Sequence, residues 1–397
     1  MIAKIKKAQI DGRIKAIPSK SYAHRIAICN FLAGNENLVD CGGFTSRDIE
    51  ATINCLSALK SGETLLDCGE SGSTLRFMIP LCSALGGNYE LVGHGRLMQR
   101  PNDELFGTIS SRGVAIEQTD SIKLSGKISG GEFFIRGDIS SQYVSGLLMA
   151  LPLLKEDSKI ILTTPLASAP YVDITLEVLK NYGINIVRAD NVFLIKGRQA
   201  FKGQLVPEGD WSNSAFLLAL GGIFGKITVT GLNLNSVQGD KKILEVLEQA
   251  GCLVETKDDS VTVKKNNLNS FVLDAEDCPD LVPIVSVIGA FSEGMTVISN
   301  IERLRIKESD RIESTMAMLK AFGITCATDG HVLAIYGARV KAGRIDSFND
   351  HRVVMASAVL ASGAEEESEI FNAQAVEKSY PNFFEDLRAI GGQVDEV

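Results

Sequence analysis

The sequence predicts an α/β protein of two similar domains, on three observations. Its 397 residues exceed the usual domain of roughly 100 to 200, so two separate apolar cores are expected. Stretches spread along the chain share one grammar: an amphipathic helix ending in glycine, a short β-rich strand, a polar turn and a second strand. These stretches recur at a nearly constant period, the mark of an internal repeat.

The copies follow one another in order. LFGTISSRGVAIEQTDSIKLSG (105 to 126), LEVLKNYGINIVRADNVFLIKG (176 to 197), LEVLEQAGCLVETKDDSVTVKK (244 to 265) and MAMLKAFGITCATDGHVLAIYG (316 to 337) carry the pattern. FFEDLRAIGGQVDEV (383 to 397) supplies its helix and first strand. The marker glycines Gly113, Gly183, Gly251, Gly323 and Gly391 stand 70, 68, 72 and 68 residues apart. A further copy is expected at DIEATINCLSALKSGETLLDCG (48 to 69), which brings the total to six and suggests two domains of three units. Each unit would bury its face against its neighbours.

Between the units lie serine- and glycine-rich entries into strongly apolar segments: ESGSTLRFMIPL (70 to 81), DISSQYVSGLLMAL (138 to 151) and DWSNSAFLLAL (210 to 220). Each has the start signature of a capped helix. The amides and dipole at such an N-terminus attract anions, and nearby serine hydroxyls add donors. Plain capping explains any one of these entries taken alone.

Bulk properties exclude several function classes. The longest apolar stretches, LLMALPLL (147 to 154) and LVPIVSVIGAF (281 to 291), fall short of the roughly 20 residues that span a bilayer, so they read as core and no membrane partner is expected. The start, MIAKIKKAQI, lacks a signal-peptide run, which predicts a cytoplasmic location. Eight cysteines without a C-x-x-C pair read as small buried hydrophobes and not as disulfides or zinc ligands. A net charge of −9 argues against a nucleic-acid partner, because such binding needs clustered Lys and Arg.

Neither a Walker loop nor a G-x-G-x-x-G turn occurs, and no G-x-S-x-G elbow supports a serine nucleophile. His24 and His351 are expected in loops and lack metal-ligand spacing, so no metal or other cofactor is predicted. Cations recur in short polar segments instead: Lys20 and Arg25 in PSKSYAHR, Arg100 in QRPNDEL, Lys307 and Arg311 in IKESDR, Arg352 in FNDHR, and Lys378 in EKSYPNFF. Brought together, they would hold a polyanionic substrate or a pair of them. Lys307 and Arg311, four apart, would share a helix face, with Glu308 turned about 100° away; a solvated helix with ordinary ion pairs is the alternative. Asp280, ahead of the apolar run, has the position of a helix N-cap.

Taken in order, PSKSYAHR, SGSTLR, RP, GDISSQ, SAPY, CPD, IKESDR, FNDHR and KSYPNFF resemble the successive active-site motifs of the 5-enolpyruvylshikimate-3-phosphate synthases, over residues 18 to 384. The resemblance implies two similar domains, each of three βαβαββ-type repeats with helices inside, an inside-out α/β barrel with the active site in the interdomain cleft. By the family pattern one domain runs from 19 to 207 and the other combines 1 to 18 with 208 to 397. The implied reaction moves the enolpyruvyl group of phosphoenolpyruvate to the 5-hydroxyl of shikimate 3-phosphate, with release of phosphate, in a monomer.

Carried over residue by residue, Ser140, Ser141, Ser168 and Lys307 match positions that hold the shikimate phosphate. Lys20, Ser21, Arg25, Gln142, Tyr171 and Asp280 match the other contacts of that substrate. Arg311 and Arg352 match the pair gripping the phosphoenolpyruvate carboxylate, for which planar guanidinium forks are suited. Lys20, Gly72, Arg100, Gln142 and Lys378 match the surroundings of its phosphate, and Lys20, Asp280 and Glu308 the proton-transfer groups. Gly72 also implies competition by glyphosate. Three departures lie beside these positions: PSKS lacks the family's usual glycine after proline, GESGS replaces G-N-[AS]-G-T, and Arg303 stands where some members carry a substrate-contacting Asn. The sister transferase acting on UDP-N-acetylglucosamine carries a reactive cysteine where this chain has Gly95. A non-catalytic phosphate-ligand binding protein would be expected to lose a proton-transfer group, and none is missing here.

Overall fold

The computed structural model describes all 397 residues and falls into two compact units. Met1–Ser19 and Glu208–Val397 form a discontinuous unit, and Lys20–Pro207 a continuous one. Each has its own apolar core.

The chain opens with strands β1 (Ile2–Lys6) and β2 (Ile10–Lys15), which belong to the discontinuous unit. The continuous unit follows with helices α1 (Lys20–Ala33) and α2 (Arg47–Lys60). Next come β3 (Leu65–Asp67), α3 (Gly72–Leu85), β4 (Gly87–Val92), α4 (Asp103–Ser110), β5 (Val114–Gln118) and β6 (Ile122–Gly126). The same βαβαββ order returns in β7 (Gly131–Ile135), α5 (Ser141–Ala150), β8 (Ser158–Leu162), α6 (Ala169–Asn181), β9 (Ile186–Ala189) and β10 (Val192–Ile195). Both repeats make a four-stranded sheet of one plan, a parallel pair extended by two antiparallel strands, in the orders β3-β4-β6-β5 and β7-β8-β10-β9.

Back in the discontinuous unit, α7 (Trp211–Phe224), β11 (Gly225–Thr230), α8 (Ile243–Gln249), β12 (Leu253–Lys257) and β13 (Ser260–Lys264) complete the repeat that β2 began. β2 lies parallel to β11, with Ile10 opposite Gly225 and Ile14 opposite Val229. A second repeat comprises β14 (Val272–Asp274), α9 (Val282–Phe291), β15 (Met295–Ser299), α10 (Arg311–Ala321), β16 (Thr325–Thr328) and β17 (Val332–Tyr336). The last has β18 (Arg344–Asp346), α11 (His351–Ala361), β19 (Ser368–Phe371), α12 (Phe383–Ala389) and β20 (Gln393–Glu396). Its missing strand is β1, which sits between β19 and β20. The amino-terminal strands are thus held by ladders in this unit.

In every repeat the first helix is apolar on nearly all sides and buried, as α3, α5, α7, α9 and α11 show. Such helices can only lie inside. The sheets cover them with one face: Val261 and Val263 of β13 are buried while the residues between and beside them are not. The five sheets are open, and none closes into a barrel. Every marker glycine has positive φ, between 78° for Gly183 and 104° for Gly391, as a left-handed helix ending requires.

The repeat expected at 48 to 69 turns out differently. Residues 20 to 64 hold α1 and α2 and no strand, and β3 opens the sheet of the following repeat. The link between the two helices contains Gly34, Gly42 and Gly43, all at positive φ, outside the extended region of a regular strand. All eight cysteines are free thiols, six of them buried.

Candidate active site

In the continuous unit the chemistry gathers at helix starts. Lys20 opens α1 and its Nζ donates to Asp48 Oδ2 at 2.7 Å, in the first turn of α2. Ser71 caps α3 by accepting from the Thr74 amide, and Gly72 is the first residue of that helix. The Arg100 guanidinium lies over Gly72: a methyl group placed there would stand 2.9 Å from Arg100 Cζ. Ser140 caps α5 and Ser141 begins it. Ser168 precedes α6 at φ 54°, a left-handed conformation that costs a non-glycine residue free energy.

Two buried arginines tie these starts together. Arg76 of α3 donates to Gln142 Oε1 at 2.8 Å, to Asn102 Oδ1 at 3.2 Å and to the Pro101 carbonyl at 3.0 Å. Gln142 in turn donates to Ser73 Oγ at 2.8 Å. Arg25 of α1 donates to Thr175 Oγ1 at 2.6 Å, to the carbonyls of Ser21 and Tyr171 at 2.7 and 2.9 Å, and to Ser145 Oγ at 3.3 Å. Its side chain therefore holds α1, α5 and α6 in register, and burial pushes its pKa down to about 10. Helix N-termini with serine hydroxyls, a lysine and an arginine make this region suited to anions.

In the discontinuous unit the charges converge on Asp280. Its Oδ1 accepts from Arg311 Nη1 at 2.9 Å and Lys307 Nζ at 3.4 Å, and its Oδ2 from Arg352 Nη2 at 2.9 Å. Arg311, only 1% exposed, also pairs with Asp350 at 3.0 Å and with Glu308. Burial works against its charge, but Asp350, Glu308 and Asp280 outweigh that and hold its pKa above the ordinary value. Burial lowers the Lys307 pKa, with Asp280 opposing. Asp350 caps α11 through the Arg352 amide and also accepts from Ser309. The loop presenting it is strained, with Phe348 and Asn349 both in the left-handed region. Lys378 Nζ donates to the Asn349 carbonyl at 2.7 Å.

Several local expectations need correction. Lys307 and Arg311 do not share a helix face: α10 begins at Arg311, because Asp310 caps it by accepting from the amides of Ile312 and Glu313. Lys307 ends a short 3-10 turn, and Glu308, expected to point away, pairs with Arg311. Asp280 lies in a 3-10 turn of Pro279–Leu281 and faces cations, not helix amides. His24 and His351 are on α1 and α11, both buried.

Sequence reasoning gave no part to Arg76 or Asp350, although both stand inside quoted motifs whose charges were on view. Asp240 had no local signal at all. Its buried carboxyl accepts from Ser212 and is pushed up to about 7 by burial and then by the charge of Asp280, with Arg352 opposing.

Comparison with known proteins gives this arrangement a context. Residues 5–387 match the model of the family described as EPSP synthase (3-phosphoshikimate 1-carboxyvinyltransferase). The 3-phosphoshikimate 1-carboxyvinyltransferase of Clostridium kluyveri is 38% identical over 418 residues, covering 99% of this chain and 98% of that protein. The protein of the same name from Clostridium acetobutylicum is 39% identical over 422 residues, with the same coverage. The fold is similar to that of EPSP synthase from Acinetobacter baumannii (TM-score 0.79, 20% identity, all of both chains). It is equally similar to the enolpyruvyl transferase NikO from Streptomyces tendae (TM-score 0.79, 16% identity, 100% of this chain and 98% of that one). With the family model covering nearly its whole length and such relatives beside it, the chain belongs to the EPSP synthase family.

Proposed function

We infer that the charged groups of the two units serve one reaction, the transfer of the enolpyruvyl group of phosphoenolpyruvate to shikimate 3-phosphate. Family membership carries the reaction. The observation that supports the roles is Asp280, whose two oxygens bridge Arg311 and Arg352. A pair of guanidinium groups already spanned by a carboxylate is a site shaped for one.

Arg311 and Arg352 are assigned to the phosphoenolpyruvate carboxylate, and Lys20, Gly72, Arg100, Gln142 and Lys378 to its phosphate. Ser140, Ser141, Ser168 and Lys307 take the shikimate phosphate, and Ser21, Arg25, Gln142 and Tyr171 border the rest of that substrate. In the addition step the 5-hydroxyl oxygen bonds to C2 of phosphoenolpyruvate, Asp280 accepts the hydroxyl proton, and the C2–C3 electron pair takes a proton at C3. In the elimination step C3 gives up a proton, the double bond re-forms, and the C2–O bond to phosphate breaks. Glu308 and Lys20 are the groups assigned to proton delivery at C3 and at the departing phosphate. Cations around the developing charge stabilise the addition. The chain acts in this reading as a cytoplasmic monomer; no helix is long and apolar enough to cross a membrane.

The test is direct. Purified protein given shikimate 3-phosphate and phosphoenolpyruvate should release inorganic phosphate and form the enolpyruvyl ether, read by mass spectrometry. No release, or release only with UDP-N-acetylglucosamine as acceptor, would overturn the assignment.

A further inference from the structure

Beneath Lys20 and Gly72 runs a polar chain that the roles above do not use. Lys20 and His24 are one turn apart on α1, and Asp48 and Thr52 one turn apart on α2. They form two rungs: Lys20 Nζ to Asp48 Oδ2 at 2.7 Å, and His24 Nδ1 to Thr52 Oγ1 at 2.7 Å. The second rung continues inward. Thr52 Oγ1 lies 2.6 Å from Thr74 Oγ1 on α3, and the Thr74 hydroxyl reaches Ser71 Oγ at 2.8 Å and the Asp48 carbonyl at 3.4 Å. Ser71 is the cap of α3, next to Gly72.

Counting donors ties the proton order along this chain to the direction of its last link. Each threonine hydroxyl has one hydrogen. If Thr74 donates to Ser71, Thr52 must donate to Thr74, and Thr52 Oγ1 can only accept from His24 Nδ1–H. His24 is then the neutral tautomer with a bare Nε2. That nitrogen is buried without a hydrogen-bond partner, and the ring meets Phe77 edge-on. The charged groups around it are Lys20 and Arg25 on its own helix and Asp48 on α2, whose carboxylate is taken by Lys20. Burial first, then the like charges of Lys20 and Arg25, lower its pKa well below the ordinary histidine value. A residue serving packing alone would be better apolar, because a buried polar atom left unsatisfied costs its full desolvation.

We propose that His24 is a positioning residue for the transfer reaction: as a neutral Nδ1–H donor acting through Thr52 and Thr74, it fixes the capped start of α3 at Ser71 and Gly72 against the Lys20–Asp48 pair. The inference rests on the assignment of Lys20 and Gly72 to the phosphoenolpyruvate phosphate. His24 touches neither substrate in this reading.

Two measurements test it on the full-length protein. Thr52→Val keeps the shape of the side chain and removes the link. It should raise the KM for phosphoenolpyruvate about fivefold, the size expected of one lost neutral hydrogen bond, with the KM for shikimate 3-phosphate and kcat within about twofold; Thr52→Ser should restore the wild-type value. His24→Leu should shift the same KM in the same direction. Unchanged phosphoenolpyruvate KM in both variants, or equal effects on both substrates, would overturn the proposal. The second measurement needs no activity: nitrogen-15 spectra of labelled histidine should show His24 as the neutral Nδ1–H tautomer at pH 5.5, and a protonated ring or the Nε2–H tautomer would also overturn it. Wild-type protein that fails to release phosphate with the expected tautomer present would instead count against the proposed function.

Discussion

Glu308→Gln should tighten phosphoenolpyruvate binding while it slows the reaction. Lys307, Arg311 and Arg352 face Asp280, Glu308 and Asp350 through direct ion pairs, so the cluster is balanced before any anion arrives. An incoming carboxylate competes there with the protein's own. Asp350 is wholly buried and bound to the α11 amide, and Asp280 holds three cations at once, whereas Glu308 is the most exposed of the three, at 23%. Glu308 is thus the partner most easily replaced. Its amide keeps the shape but drops one negative charge, which a bound carboxylate would then supply. A charge-assisted bond is worth about 1.5–3 kcal/mol when buried, and partial exposure reduces this to about 1 kcal/mol, or roughly a five- to tenfold lower Kd for phosphoenolpyruvate. Loss of a positioned proton donor should lower kcat about 10²- to 10⁴-fold. Calorimetry in the presence of shikimate 3-phosphate gives the first quantity and phosphate release the second. Weaker phosphoenolpyruvate binding combined with unchanged kcat would refute the reasoning.

Gly72→Ala should push the Arg100 guanidinium aside, raising the KM for phosphoenolpyruvate and weakening inhibition by glyphosate more strongly; steady-state kinetics with unaltered values for both would count against that placement. Asp350→Ala removes the buried partner of Arg311 and the cap of α11, so urea unfolding should show a loss of about 3–5 kcal/mol, and Asp350→Asn, which keeps the cap, should lose less. Acid should destabilise the fold through His24: its folded pKa is depressed, so the unfolded chain takes up the proton first and stability falls as pH drops below the ordinary value near 6.5. Asp240 acts with the opposite sign, because its carboxyl is raised to about 7, so wild type must be compared with His24→Asn; equal losses between pH 7.5 and 5.5 in the two proteins would dismiss the effect.

The repeat was legible in the sequence because its signal is local. A glycine forced to positive φ between an amphipathic helix and a strand leaves a mark in composition, and the period exposes it wherever it recurs. Helix entries at Ser71, Ser140 and Asp210 were legible for the same reason, since a cap is a contact across two or three residues. The segment before β3 misled because an amphipathic helix and a glycine survive there while the preceding link carries no strand. What local signals cannot reach are pairings across the fold. Arg25 looked like a free cation in a polar segment, yet beyond the Ser21 carbonyl its bonds go to Ser145, Tyr171 and Thr175, more than a hundred residues away. Arg311 and Asp350, 39 residues apart, carry charges that mean nothing until α10 and α11 set them side by side. A lone Asp in a capping position and a lone Asp among three cations read alike in sequence, and Asp280 is the second kind. The consequence reaches the chemistry. Because the arginines assigned to the substrate carboxylate are already matched by carboxylates of the protein, binding is an exchange of one anion for another in a cluster of fixed cations. Affinity is then set by how firmly Asp280 and Glu308 hold the place, and the groups that yield to the substrate are the same ones assigned to move its protons.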